Sequence, residues 1–304
     1  MLSEEEMQRL SFIKYLYTLG IEQSRQAQPH ASASILTLHD AVEMFLHLAC
    51  EHHKANAGKR LEFADYFGLI EKALPGTTVS GKPSMTRLNQ VRVGLKHHAN
   101  LPDKATLTDL ASRVGVFFDD NSPVLFGQDF SKISLVNLVQ HTEVRASLSA
   151  AEQLMRDGSF EESLTKSAIA YTQLMHDFQS RASLTFGASP FAFEQPLRYE
   201  YAFPELMSPP PDLSVLPVIK LAGDMQRSLL QVQSALTILS LGLDYPRFAR
   251  FQHLTPVVWK ALDRDDFMTD GYGDVSHTIE DCQFCCDFVI QCALKLQELD
   301  AKAT

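Results

Sequence analysis

Leu38-His39-Asp40-Ala41-Val42-Glu43-Met44-Phe45-Leu46 is the stretch on which the fold turns. Leu38, Ala41, Val42, Phe45 and, one turn further, Ala49 recur at intervals of three and four. That spacing lays them along one side of an α-helix, because 3.6 residues make a turn. The pattern predicts a long helix from about Ala31 to about Ala57, with Gly58 just beyond its end, and makes it the central helix of a domain.

Upstream, Ser3 followed by Glu6 has the spacing of a capping box, and the apolar periodicity behind it predicts a helix over 4–19 that closes at Gly20. Downstream, the sequence predicts a short helix over 60–74 stopped by Pro75-Gly76, a polar loop over 76–83, and helices over 84–99 and 106–118. Asp119-Asp120-Asn121-Ser122-Pro123 reads as a turn, after which a helical pattern resumes over 133–144. Residues 150–155 and 161–178 form a helical hairpin turning at Arg156-Asp157-Gly158-Ser159. No second copy of it follows at about 34 residues, so a solenoid is not expected.

After Arg181 the composition changes. Seven of the 14 prolines lie between Pro190 and Pro217, interleaved with Phe and Tyr, which precludes a continuous helix and predicts an ordered aromatic arm. Helical patterning returns over 216–242, an irregular segment with a short strand near 255–259 fills 245–273, and a last helix covers 278–299. The expected organisation is therefore all-α: a helical bundle over residues 1–181, then the proline-rich arm and further helices over 182–304.

The whole chain has 304 residues, 27 Lys and Arg against 37 Asp and Glu, and a formal charge of −10. This balance excludes a surface coated for bulk nucleic-acid binding, so any anion site must be local. Five cysteines, four of them crowded between Cys282 and Cys292, do not resemble a secreted disulfide framework. Glu4, Glu5 and Glu6 stand where a signal peptide would be positive, and no uninterrupted apolar run reaches the ~18 residues of a membrane span. The expectation is a cytoplasmic protein without a membrane partner.

One segment reverses the charge. Lys82, Arg87, Arg92 and Lys96 lie between Lys82 and Pro102 with no carboxylate among them, and Arg92 is followed five positions later by His97. Such an island suits a phosphate or another anion. The Arg, four residues, His pattern in Arg87-Leu88-Asn89-Gln90-Val91-Arg92-Val93-Gly94-Leu95-Lys96-His97-His98, together with the preceding long helix, resembles the HEPN family over about residues 30–180. The resemblance implies an all-helical, metal-independent endoribonuclease of a prokaryotic toxin or defence system, without a cofactor and active as a homodimer on RNA. His97 would then be the general acid/base for attack by a 2′-hydroxyl, and Arg92 would hold the scissile phosphate. Glu43, Lys96 and Arg87 would support them, Glu43 by pairing with Arg92. A non-catalytic binding or scaffold subunit of a defence or regulatory complex, engaging a protein partner, is the alternative.

On a straight helix, Arg92 and His97 lie about 140° apart. A bend at Gly94 or a second protomer is therefore needed to bring them to one cleft, and His98, aligned with Leu88, Val91 and Leu95, is expected to pack inward. His39, Glu43 and His47 form a polar stripe one turn apart, read as a solvated face and not as a metal site. Cys282, Cys285, Cys286 and Cys292 share one helical face and are read as core rather than as zinc ligands.

Overall fold

In the computed structural model, residues 2–55, 61–186, 216–260, 267–269 and 276–303 are described. Among the described residues the fold is mostly helical with one two-stranded hairpin, and the chain divides into two compact units, Met1–Leu138 and Val139–Thr304. The proline-rich arm expected over 190–217 lies almost wholly outside the described residues.

In the first unit, α1 (Glu4–Ser24) and α2 (His30–His52) form an antiparallel pair. The capping box closes as expected, Glu6 N donating to Ser3 Oγ at 3.2 Å and Ser3 N to Glu6 Oε2 at 2.7 Å. Those bonds, with His52 Nδ1 at 2.7 Å from the other oxygen, hold the Glu6 carboxyl down at about 2. The helix does not stop at Gly20. There α1 lies against α2 so closely that a Cβ on Gly20 would stand 2.7 Å from Leu38 Cδ2, so the glycine serves helix packing and not a C-cap.

α2 supplies the middle of the core, and Leu38, Ala41, Val42, Phe45 and Ala49 are all fully buried. Among the described residues it is the only helix long and apolar enough to cross a bilayer, but 61% of that window is buried inside this chain. α3 (Asp65–Ala73) and α4 (Lys82–His98) follow, then α5 (Lys104–Phe126), which begins at the Asp103 N-cap. Phe45 meets Phe117, Phe118 and Phe126 edge to face at 5.1 to 5.6 Å between centroids, and this aromatic cluster joins α2 to α5.

Two local expectations are corrected in this unit. Residues 119–123 are not a turn: α5 runs through them to Gly127, whose φ of +66° ends the helix. Asn121, expected in a turn, faces inward instead, donating to Phe117 O at 2.7 Å and accepting from Ser80 N at 2.9 Å. Residues 133–141 do not resume a helix either; short 3-10 turns at Phe130–Lys132 and Val136–Leu138 stand there, and helix returns only at Thr142. Side chains of α1 capture the backbone there, Ser11 Oγ donating to Ser134 O at 2.7 Å and Lys14 Nζ to Ser131 O at 2.7 Å.

The second unit contains α6 (Thr142–Arg156), α7 (Phe160–Phe186), α8 (Leu216–Ser240), α9 (Tyr245–Leu254), a hairpin of β1 (Val258–Lys260) with β2 (Phe267–Thr269), and α10 (Ile279–Ala303). α6 and α7, grouped with the N-terminal part from sequence, lie in this unit and pack on α10. The α6–α7 hairpin turns at Gly158, φ +80°, and Ser163 Oγ bonds Ala151 O across it at 2.8 Å. Part of the expected irregular segment is helix: Asp244 caps α9 by accepting from Arg247 N at 2.9 Å, and Pro246 fits the first turn. Phe248 and Phe251 of α9 then close on Tyr171 and Phe288.

Cys282, Cys285, Cys286 and Cys292 are buried on the face of α10 that meets α7, Cys286 Sγ lying 3.3 Å from Ser167 Oγ. Burial pushes all four thiols above their ordinary range, Cys286 to about 12. They are inert small hydrophobes.

Candidate functional site

The charge-reversed segment folds as α4, from the left-handed Gly81 before its first turn to a left-handed Ala99 after its last. Asn100 N donates to Gly94 O at 3.2 Å and Ala99 N to Leu95 O at 3.1 Å, which satisfies the final carbonyls. The helix is unbroken through Gly94. Met85 and Leu88 anchor it in the core, Val91 and Leu95 are partly buried, and the last turn projects beyond. His98 is therefore exposed, contrary to the inward position expected of it, because α4 outruns the core before reaching that residue.

The four cations of α4 are not equivalent. Arg87 Nη1 bonds Asp109 Oδ2 of α5 at 2.8 Å, and Arg113 takes the other oxygen at 2.8 Å, so Arg87 is paired with a carboxylate while staying exposed. Lys82 stands 5.6 Å over the Phe67 ring. Lys96 and His97 are exposed on the final turn. That end of the helix carries partial negative charge.

Arg92 behaves differently from all of these. It is half-buried, its Nε is enclosed without a hydrogen-bond partner, and its charge acts on His39 of α2. His39 is 2% exposed, and neither ring nitrogen closes a hydrogen bond, although Asn89 of α4 stands beside it. Its Nδ1 lies 3.7 Å from both Asp40 Oδ1 and Glu43 Oε2. Burial, reinforced by Arg92 and opposed by Glu43 and Asp40, lowers its pKa, so the ring is neutral.

The expected direct pair of Glu43 with Arg92 is not formed among the described residues. Both groups act on His39 by charge, Glu43 Oε2 lying 3.7 Å from its Nδ1. His39 was read as part of a solvated stripe with Glu43 and His47, yet it is core. The signal was present in its spacing, four residues after Ile35 and three before Val42, both fully buried.

His39, Asp40 and Glu43 bring one ligand atom each within 4.8 Å of one another, a donor set that a divalent ion accepts. The nearby Arg92 guanidinium opposes a cation there. The structure thus gathers Arg92, His39 and Glu43 at the α2–α4 crossing, leaves Lys96 and His97 exposed further along α4, and commits Arg87 to α5. Set against known families, curated proteins and solved structures, the chain matches none.

Proposed function

We propose that this chain is a HEPN-like, metal-independent endoribonuclease of a prokaryotic defence or toxin system. The observation that carries the reading is the division of α4: a half-buried Arg92 whose charge acts on His39 of α2, and an exposed Lys96–His97 turn beyond the core. One protomer keeps Arg92 and His97 about 140° apart on an unbroken helix. The site is therefore composite, two α4 helices facing each other in a homodimer so that Arg92 of one copy serves the same phosphate as the partner's His97.

In that arrangement His97 accepts the proton of an RNA 2′-hydroxyl as its oxygen attacks the adjacent phosphorus. The bond to the 5′-oxygen breaks, and that oxygen leaves with the proton that the same His97 has taken up, giving a 2′,3′-cyclic phosphate. Arg92 holds two phosphate oxygens as negative charge gathers on them.

Cleavage of labelled single-stranded RNA in EDTA tests this. His97→Ala and Arg92→Ala are each expected to lower the rate by ~10²-fold or more. A mixture of the two variants is expected to recover part of the activity, because a mixed dimer retains one intact site. Unchanged cleavage by His97→Ala sinks the mechanism. The partnering of Arg87 by Asp109, which engages one of the four cations of α4, favours a second reading in which the chain is a non-catalytic binding or scaffold subunit of a defence or regulatory complex; no cleavage by intact oligomers would support it.

A further inference from the structure

α8 carries an apolar stripe on the side away from its own unit. Val218, Leu221, Met225, Leu229, Val232 and Leu239 are each 55 to 64% exposed, and Leu236 is 43% exposed. At 100° per residue all seven fall within about 80° of arc. Thr237, Ile238 and Leu241, by which this end of the chain packs on its unit, are buried and lie on the opposite side. The stripe is thus not a core face left slightly open. It is a second face, continuous over about 30 Å of helix.

We propose that this stripe is where two copies of the chain associate, the α8 helices pairing antiparallel about a two-fold axis near residues 228 and 229. Area supports a second copy as the occupant. Side chains of this size, exposed by 43 to 64%, present on the order of 100 Å² each, so the stripe offers somewhat under ~700 Å² per copy against the ~800 Å² per partner of a stable interface. A straight, evenly spaced apolar seam is also complementary to itself, as a two-fold interface requires.

The helix dipoles favour one direction: antiparallel pairing opposes them, whereas parallel pairing aligns them. α8 contains only Lys220, Asp224 and Arg227 as charged residues, and at 100° per residue these positions lie about 100° or more from the centre of the stripe, so the seam itself is uncharged. The same scarcity of basic residues disfavours a membrane surface as the occupant.

The proposal does not rest on the reading of α4, and its test is separable from RNA cleavage. Sedimentation equilibrium from about 1 to 100 μM on the full chain is expected to give a mass that Met225→Asp with Leu229→Asp halves, with the helical circular dichroism unchanged. A mass that the double variant leaves unaltered, or a wild type that is monomeric throughout, overturns the proposal. Orientation is read by cross-linking, since all five native cysteines are buried. Leu229→Cys alone is expected to oxidise to a dimer, as is a mixture of Val218→Cys with Leu239→Cys, whereas Val218→Cys alone is not. A dimer from Val218→Cys alone overturns the antiparallel arrangement.

Discussion

α2 and α8 are nearly equal in length, 23 and 25 residues, and each carries apolar residues at helical spacing. Within the chain their surroundings are opposite. The stripe of α2 is closed on by α1, α4 and α5, with Phe45 fully buried among three phenylalanines. The stripe of α8 meets solvent along its length. Periodicity specifies that a helix has an apolar face; it does not specify whether that face is covered from within the same molecule.

The largest difference should appear on truncation. Phe45→Ala removes a side chain from the centre of the aromatic cluster, and a cost of about 3–5 kcal/mol is expected, enough to unfold the first unit in part at moderate urea. Leu229→Ala at the low concentration where copies are separate should change stability by no more than about 0.5 kcal/mol. Urea midpoints followed by circular dichroism and by exchange of α1–α2 amides measure both. Equal costs at the two positions would remove the distinction between the helices.

Smaller effects, opposite to each other in sign, are expected at two of the helical glycines, Gly20 and Gly223. Gly20→Ala puts a methyl 2.7 Å from Leu38 Cγ and Cδ2, and Leu38 is fully buried and cannot swing away. Relief of that overlap should cost ~1–3 kcal/mol, more than alanine's helix preference returns. In α8 a methyl on Gly223 meets nothing within 4 Å, so Gly223→Ala should stabilise its helix by about 0.5–1 kcal/mol. Amide exchange in the two helices reads the two signs separately.

The same contrast explains what the sequence made legible. The all-α class, the central role of α2, the Ser3–Glu6 box and the cysteine face of α10 followed from spacing alone, because each depends on residues within one or two turns. Gly20 read as a stop, and residues 133–144 as helix, because the deciding contacts come from elsewhere: Leu38 for the glycine, Ser11 and Lys14 for the backbone. For the candidate site, the island on α4 was visible as composition. That Arg87 pairs with Asp109, and that the charges of Glu43 and Arg92 both reach a buried His39, depends on how helices cross, which no local pattern encodes.

The smallest effect concerns His39, the polar exception on the covered face of α2. A buried side chain that closes no hydrogen bond stabilises little, and the loose attraction of Glu43 and Asp40 at 3.7 Å offsets part of its burial. His39→Leu is therefore expected to raise stability by about 1 kcal/mol or less at pH 8. The gain should grow on acidification. The folded pKa of His39 lies below its unfolded value of about 6.5, so below that pH the unfolded chain binds a proton that the folded chain resists. The wild type thus loses stability as pH falls through about 6.5, whereas the leucine variant lacks this loss. Urea midpoints of the two proteins from pH 8 to pH 5 measure the gap. A gap that stays constant would mean that His39 takes up its proton in place, drawing Glu43 to itself and leaving Arg92 to the solvent side of α4.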